Sequence, residues 1–266
     1  MPRRPRPERQ GRRPWGGANK PPGRGSHHAD TDHVLLFGLH AVEAALANPR
    51  REVARLIATE NAAHRLAPLI AKRGVRVEPA SPRDLDRLLG PDSVHQGVAL
   101  EAKQLSPIGL DEIESSGIVV VLDQVTDPHN VGAVLRSAAA FGALGLVLTE
   151  RHSPPLSGAL AKVASGALDL VPIVLVKNLA QALAELGEMG FLRVGLAEEG
   201  ENALEALSLT KPLALVLGAE GKGLRHLTRE HCDLLARIST RSALASLNVS
   251  NAAAIALHWA SLNAKG

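Results

Sequence analysis

The sequence predicts an α/β protein: a domain with a mostly parallel sheet, preceded by a smaller α/β unit. Three observations support this fold class. Strand-like apolar runs alternate with segments of helical spacing, as in parallel sheets covered by helices. The run at 118–122 is continuously apolar, which is typical of a strand buried on both faces. Polar segments follow several of the strands, and a length of 266 residues corresponds to about two domains.

The first 33 residues are predicted to form a disordered basic tail. They carry eight basic and three acidic side chains, a net charge of +5, whereas the rest of the chain carries −2. A segment with so few apolar residues cannot bury enough surface to offset the entropy lost on ordering. A basic arm on a near-neutral body indicates an anionic partner and favours nucleic acid, although a solubilising tail explains the charge equally well.

Residues 34–102 are predicted to form the small α/β unit. Helices are expected at 40–46, at 62–73 and from Pro82, where Ser81 is the cap and proline occupies the first helical position. Strands are expected at 53–59, at 75–77 and after the turn at 95–97. Residues 103–116, which include Pro107 and Gly109, are expected to be a linker.

Residues 117–266 are predicted to form the larger domain. The expected strands are 118–122, 144–148, 170–176, 191–196, 213–217 and 234–238. The expected helices are 131–141, 156–167, 179–189 and an alanine-rich helix that begins near 252. Ligands of such sheets bind beyond the carboxyl ends of the strands, and three polar segments lie there.

The composition excludes several classes of protein. No apolar run approaches the ~18–20 residues of a membrane span, and the basic N-terminus lacks the apolar segment of a secretory signal. Cys232 is the only cysteine, so neither a disulfide framework nor a thiolate metal cluster is expected, and no metal site is predicted. These features favour a cytoplasmic protein. Tyrosine is absent and aromatic residues are few, which argues against binding single strands by base stacking.

The first polar segment runs from Asp127 to Arg136. Asn130 is expected to cap the following helix, and Arg136 lies nearly two turns further on. Side chains six residues apart do not share a helix face, so Arg136 must use its length to reach the helix mouth or serve a group beside it. Taken alone, this segment is explained better by a helix cap and a surface arginine.

The second polar segment, Gly218-Ala219-Glu220-Gly221-Lys222-Gly223, is rich in glycine. Glycines let the backbone approach a ligand closely or adopt positive φ. The spacing is that of neither a phosphate-binding P-loop nor a dinucleotide fingerprint. A carboxylate at Glu220 suits a ligand that carries hydroxyls, amines or positive charge, although a flexible turn explains the same residues.

The third polar segment, 246–251, runs directly into the alanine-rich helix. One Ser or Asn there is an ordinary helix cap. Four polar residues around Leu247 and Val249 are more than a cap requires, and a helix mouth is also where donors are presented to a ligand.

In this order, the three segments resemble motifs of the SpoU/TrmH class of the SPOUT superfamily, the 2′-O-ribose RNA methyltransferases. The matching stretches are 122–138, 217–224 and 246–252. Residues 37–42 and 95–98 resemble the small N-terminal substrate-binding domain of the RlmB-type branch, whose members methylate guanosine in 23S ribosomal RNA. The resemblance extends over 34–264 and leaves the tail outside.

The resemblance implies a C-terminal SPOUT domain, 117–266, with a trefoil knot, a homodimer, and S-adenosylmethionine held by the knot loops. It also implies an RNA substrate-binding domain at 34–102. The positions that match catalytic and RNA-facing residues of the family are Asn130, Arg136, Glu220, Ser246 and Asn248. The positions that match cofactor contacts are Gly218, Ile238 and Leu247.

The family's usual assignment of the arginine as a base conflicts with its chemistry. Arginine stays protonated in proteins, so Arg136 is expected to stabilise developing alkoxide charge and to grip a phosphate. The chain also departs from the family before the third motif. It has Ile238-Ser239-Thr240-Arg241-Ser242 where Ile-Pro-Met-x-Gly is usual, which changes the rigidity of the loop and adds a charge that could contact RNA phosphate.

Two other functions remain open from the residues. A tRNA ribose methyltransferase would use the same motifs, and a non-catalytic RNA-binding protein on this fold would explain the altered 239–242 loop. A dinucleotide-dependent oxidoreductase is excluded, because it needs a glycine fingerprint after the first strand of its sheet and 123–130 contains no glycine.

Overall fold

The structure, a computed structural model, describes residues 33–156, 160, 163–241 and 247–265. The predicted tail lies outside the described residues except for His33, which is the first residue of the first strand. Ser246 also lies outside them. The described strands form two sheets, and none of the described helices is long and apolar enough to cross a membrane.

The first sheet and its helices come from the N-terminal part of the chain. The strands are β1 (His33–Phe37), β2 (Val53–Ala58), β3 (Val77–Pro79) and β4 (Val98–Lys103). The helices are α1 (Leu39–Ala47), α2 (Glu60–Arg73) and α3 (Pro82–Leu89). The strand order is β1-β4-β2-β3, with β4 antiparallel to both neighbours and β2 parallel to β3.

Local signals account for the helix ends in this part. Thr59 caps α2, Gly74 ends it with φ 65°, and Ser81 with Asp84 forms a capping box at α3. The amide oxygen of Gln96 accepts from the Leu39 backbone N–H at 2.9 Å and so satisfies the start of α1. The strand predicted at 75–77 is found two residues later, as β3.

The second sheet comes from the rest of the chain. Its strands are β5 (Ile118–Asp123), β6 (Gly145–Thr149), β7 (Ile173–Val176), β8 (Leu192–Leu196), β9 (Asn202–Ala203), β10 (Leu213–Gly218) and β11 (Leu234–Arg237). Its described helices are α4 (Pro128–Ala140), α5 (Ala167–Leu170), α6 (Leu179–Glu188), α7 (His226–Glu230) and α8 (Val249–Asn263). The strands run parallel in the order β7-β6-β5-β10-β8-β11-β9.

Strand β5 confirms the prediction of a strand buried on both faces. Val120 and Leu122 pack with α4 and α8, whereas Val119 and Val121 pack with α6 on the other face. Full burial of each such side chain stabilises the fold by roughly 1.5–3 kcal/mol. This central strand therefore holds both helical layers together.

Helix α4 begins earlier than the sequence suggested. Its cap is Asp127, whose carboxylate accepts from the His129 backbone N–H at 2.9 Å, and Asn130 lies inside the first turn. The prediction of a helix start at Val131 with Asn130 as cap is therefore wrong. The reason is Pro128, which fits the first helical position because no N–H is needed there.

The strand predicted at 170–176 is shorter than expected. Ile173 begins β7, and α5 occupies the residues just before Pro172. Proline cannot donate to a sheet, but its carbonyl still accepts from Leu146 N–H at 2.9 Å. Of the helix predicted at 156–167, residues 157–159, 161 and 162 lie outside the described ranges. Gly166, with φ 89°, immediately precedes α5, so Ala167 belongs to α5. Strand β9 is too short for a sequence pattern to reveal.

The predicted linker packs against the larger sheet. Lys103 is the last residue of β4, and a 3₁₀ turn forms at Leu110–Glu112. Leu110 and Ile113 are buried in the apolar cluster around α6, and Ile108 N–H donates to Ile173 at 2.9 Å. The segment therefore follows the edge of the sheet at β7.

Candidate functional site

The three polar segments meet at the carboxyl ends of the strands in the second sheet. β5, β10, β8 and β11 are neighbours in the sheet, so the loops that follow them lie side by side. The loop after β10 is the glycine segment, and α8 begins beside it with Asn248 as its cap. The convergence expected from the strand order is therefore present.

Asn248 joins the three segments through its side-chain amide. Its oxygen accepts from the Ser250 backbone N–H at 2.8 Å and from Ser250 Oγ at 2.6 Å. Its nitrogen donates to Asn130 Oδ1 at 3.1 Å and to Glu220 Oε2 at 3.3 Å. Because both ends of the amide are engaged, its orientation is determined by the network. The structure thus brings together three of the predicted catalytic residues.

Arg136 lies on α4, and its side chain is exposed. Among the residues that the structure describes, it has neither a hydrogen-bond partner nor an ion-pair partner. The guanidinium is therefore available to an external anion rather than engaged with the Asn248 network. Ser246, the remaining predicted catalytic residue, lies outside the described residues.

A cleft of about 560 Å³ opens beside the Asn248 network. Its lining includes Glu220 and all three predicted cofactor contacts, Gly218, Ile238 and Leu247. The volume lies within the roughly 300–1,000 Å³ that is usual for a small-molecule site. A ligand held there would lie directly against the glycine loop and the start of α8.

The glycine loop closes on itself around Gly218. A β-carbon at this position would overlap the carbonyl carbon and oxygen of Gly223. Gly223 N–H also donates to the Ala219 carbonyl at 2.8 Å. Glycine is required at 218 because only its bare backbone permits this approach, and the loop then offers main-chain atoms to a ligand.

Charged side chains of both signs line the cleft. The carboxylates are Glu198, Glu199 and Glu220, the cations are Lys222, Arg229 and Arg237, and Arg229 forms an ion pair with Glu199. A backbone hydrogen bond within Glu199, helped by the Arg229 guanidinium, holds the pKa of that carboxyl below its usual value. The larger apolar side chains of the lining are Leu196, Leu217, Ile238, Leu247 and Val249. This combination suits a ligand with an apolar ring system, hydroxyls and charged groups of both signs.

The altered loop after β11 is fastened to the segment that follows β9. Ser239 donates its backbone N–H to Glu205 Oε1 at 3.3 Å and its hydroxyl to Oε2 at 3.0 Å. Burial acts to raise the pKa of Glu205, but hydrogen bonds from its own backbone and from Ser239 outweigh burial and lower that pKa. A proline at 239 would lack the donating N–H. Arg241 is exposed, and Ser242 lies outside the described residues.

Asp123 is a residue of this site that the sequence motifs did not single out. It is fully buried at the end of β5, and its carboxylate accepts from Thr228 Oγ1 at 2.7 Å. Arg225 donates its backbone N–H at 3.0 Å and its Nε at 2.7 Å to the same carboxylate. An acidic residue that ends a fully apolar strand was the available signal. Asp123 fastens the far end of the glycine loop to the sheet.

Replacing Thr228 with valine is expected to lower the free energy of unfolding by about 1.5–3 kcal/mol, because the hydrogen bond to a buried charge is removed. Urea denaturation monitored by circular dichroism measures this value. Thr126→Val is the control, since Thr126 is exposed and such changes usually stay within about 0.5 kcal/mol. Equal losses for the two variants would contradict the assigned role of Thr228.

Titratable side chains elsewhere offer little further chemistry. Within the described ranges, no group of three or more His, Cys, Asp or Glu residues is arranged to hold a metal ion. Burial raises the pKa of the Cys232 thiol to about 12, which leaves it protonated and unreactive at neutral pH.

The chain matches two family models that together extend over both sheets. Residues 117–258 match the SpoU rRNA Methylase family, and residues 35–108 match the RNA 2'-O ribose methyltransferase substrate binding family. The resemblance inferred from the motifs is thereby confirmed.

Curated relatives match over most of their length. The 23S rRNA (guanosine-2'-O-)-methyltransferase RlmB of Ralstonia nicotianae is 42% identical over 232 residues, which cover 84% of this chain and 93% of that protein. The protein of the same name from Pseudomonas putida is 38% identical over 233 residues, with 84% and 93% coverage.

Solved structures share the fold. The SpoU methyltransferase AviRb of Streptomyces viridochromogenes, in complex with AdoMet, aligns with a TM-score of 0.72 at 23% identity, covering 91% of this chain and 94% of that one. An AdoMet-bound rRNA methyltransferase of Sinorhizobium meliloti aligns with a TM-score of 0.72 at 24% identity, with 88% coverage of both chains. From its family-model match and its curated relatives, this chain belongs to the SpoU rRNA methylase family.

Proposed function

We propose that this protein transfers a methyl group from S-adenosylmethionine to the ribose 2′-hydroxyl of a guanosine in 23S ribosomal RNA. The observation that carries this proposal is the network in which Asn248 contacts both Asn130 and Glu220 beside the cleft. Family membership and the curated relatives named for this reaction support the same substrate.

The residues of the cleft fit S-adenosylmethionine. Gly218 lines the cleft with backbone alone, and a side chain there would overlap Gly223. Ile238 and Leu247 provide apolar surface for a ring. Charged side chains of both signs in the lining suit the hydroxyls and the charged groups of S-adenosylmethionine. When bound, S-adenosylmethionine supplies an activated methyl group on a sulfonium.

Within this proposal, Arg136 binds the RNA and stabilises negative charge on the ribose oxygen. Its guanidinium stays protonated and can contact a phosphate through two parallel hydrogen bonds. Asn130, Ser246 and Asn248 orient the ribose, and Glu220 holds either Asn248 or an RNA group. Correct alignment of reacting groups can lower a barrier by roughly 7–11 kcal/mol, so positioning is the main task of these residues.

The organisation of the chain follows from the same proposal. Residues 33–103 form the RNA substrate-binding domain, 104–116 the linker and 117–266 the methyltransferase domain, with 1–32 as a basic tail. Family membership supports a trefoil knot near the C-terminus. Exposed Ile255 and Leu262 on α8 support a homodimer, and an RNA substrate supports a cytoplasmic location.

The direct test is incubation with labelled S-adenosylmethionine and, separately, unmodified 23S rRNA and tRNA, followed by mapping of 2′-O-methyl groups by primer extension. We expect label at one guanosine of 23S rRNA. Label in tRNA alone would keep the chemistry and overturn the substrate. RNA binding without any label would favour a non-catalytic RNA-binding protein.

Deletion of residues 1–32 is expected to weaken RNA binding and to flatten its dependence on salt. The tail carries eight Lys or Arg side chains, and each phosphate that is no longer neutralised reduces the slope of log K against log salt by about 0.7–0.9. Filter binding at several salt concentrations measures the slope. A tail with these eight residues changed to glutamine is the control for length, and an unchanged slope in both variants would contradict the role of the tail.

A further inference from the structure

An ion pair between Arg51 and Asp169 is buried where the two sheets meet. The two side chains are 2% and 1% exposed. Arg51 Nε donates to Asp169 Oδ1 and Nη2 donates to Oδ2, both at 2.8 Å, which is the parallel two-bond geometry of the strongest Arg–carboxylate pairs. Arg51 lies between α1 and β2, and Asp169 lies in α5.

Neighbouring groups complete the hydrogen bonding of this pair. The Asn48 amide donates to Asp169 Oδ1 at 3.1 Å, and Arg51 Nη1 donates to the Lys103 carbonyl at 2.8 Å. The Arg73 guanidinium donates to the Arg51 carbonyl. These partners lie at the C-terminal ends of α1, α2 and β4. The N-terminal sheet and its helices therefore provide the hydrogen-bond donors for the Asp169 carboxylate, which belongs to the larger domain.

Helix α5 packs against both α1 and α4, and α4 carries Asn130 and Arg136. Beside α5, Gly166 approaches α1 so closely that a β-carbon would lie 2.8 Å from Ala41 Cα. The N-terminal sheet is thus connected to Arg136 through the buried pair and through three packed helices, α1, α5 and α4. A change in the angle between the sheets would have to break these contacts.

The energetics of buried ion pairs favour a role in orientation rather than in stability. Desolvation offsets much of the Coulomb attraction, and apolar residues of similar volume are often as stabilising. A bidentate pair, however, tolerates only one relative arrangement of its two sides. Contacts between domains of one chain ordinarily permit relative motion. A buried bidentate pair between the two sheets therefore restricts the angle at which they meet.

We propose that Arg51 and Asp169 are positioning residues that fix the distance between the RNA bound by the N-terminal sheet and the ribose presented to Arg136. This inference rests on the proposed function. Arg51 is too deeply buried to contact RNA itself, so any effect of the pair on RNA must act through the arrangement of the two parts. Two RNA-binding parts held rigidly raise the effective concentration of the target ribose at the active site.

The first arm of the test measures the arrangement directly. Cysteines placed at exposed Ala71 of α2 and Glu188 of α6 carry spin labels in a variant in which the partly buried Cys232 is first replaced with serine. Electron–electron double resonance is then recorded for the full chain. We expect one narrow distance distribution, and a broad one after the paired change Arg51→Met with Asp169→Leu, which keeps the junction filled and avoids an unpaired charge.

The second arm measures function with the same variants. In the paired variant, we expect kcat/KM on 23S rRNA to fall about tenfold, mainly through KM, because the effective concentration of the target falls. The Kd for S-adenosylmethionine, measured by calorimetry, should not change. Asp233→Asn is the matched control, since it breaks the bidentate Arg193–Asp233 pair elsewhere in the chain and should alter neither quantity.

The outcomes separate this inference from the proposed function. A distribution that stays narrow, or one that broadens without any change in KM, overturns the positioning role while methyl transfer by the unchanged protein stands. If the unchanged protein transfers no methyl group, the proposed function fails, and with it the positioning role. A loss of cofactor affinity in the paired variant would show a general structural effect and would also overturn the inference.

Discussion

Replacing Arg136 with alanine is expected to reduce methyl transfer about 100- to 1,000-fold, mainly in kcat, which is typical for loss of one group that stabilises transition-state charge. Arg136 is exposed on α4 and has no partner among the described residues, so its removal should cost the fold little. Single-turnover assays on 23S rRNA, with calorimetric measurement of cofactor affinity, test the prediction. The Kd for S-adenosylmethionine should stay within about twofold, since the side chain does not line the cleft.

Two further variants define what the guanidinium does. Arg136→Lys keeps the charge but loses the planar fork, so turnover should remain much lower than in the unchanged protein if bidentate contact matters. Arg151→Ala is the matched control, because Arg151 is also an exposed arginine and follows the neighbouring strand β6. If lysine preserved most of the turnover, the bidentate role would be wrong. If Arg151→Ala had an equal effect, the loss would reflect general charge rather than this position.

Much of this site follows from sequence because parallel strands impose it. Once 118–122 and 213–217 are identified as strands of one parallel sheet, the residues that follow them must lie at the same edge. This is why Asn130 and Glu220, 90 positions apart in the sequence, could be expected near each other. The alanine-rich helix α8 was equally visible, because a polar segment gives way to apolar residues, although it begins at Val249 rather than near 252. The exact start of α4 was not, because Asp127 and Asn130 are both good caps and only Pro128 distinguishes them.

The contacts that fasten the site could not be predicted in the same way. Asp123 and Arg225 are 102 residues apart, and Arg51 and Asp169 are 118 apart. Hydrophobic periodicity shows which face of an element is buried, but it does not identify the partner of a buried charge. Only Asp123 carried a signal of its own, as an acidic residue at the end of an apolar strand, whereas Arg225, Arg51 and Asp169 looked like ordinary surface residues in the sequence. Their partners became evident only from the packing of the glycine loop on β5 and of α5 on α1.

Replacing Gly218 with alanine is expected to weaken binding of S-adenosylmethionine about 100-fold, since displacements of about 1 Å in a site can have effects of that size. The added β-carbon would overlap backbone atoms of Gly223, and a backbone cannot move aside as a flexible side chain can. The loop must therefore open at the point where it lines the cleft and where Glu220 reaches Asn248. Titration calorimetry measures the affinity, and circular dichroism verifies that the variant is folded.

Gly190→Ala separates this effect from the general cost of adding a methyl group to a glycine. Gly190 follows α6 with φ 89°, has open space around its β position and does not line the cleft. Alanine there should cost about 1–2 kcal/mol of stability through backbone strain and leave cofactor affinity unchanged. Gly218→Ala should instead weaken cofactor binding more than it lowers stability, because the overlap of the added β-carbon with Gly223 lies inside the binding loop. Equal affinities in the two variants would mean that the closed form of the glycine loop is not the form that binds the cofactor.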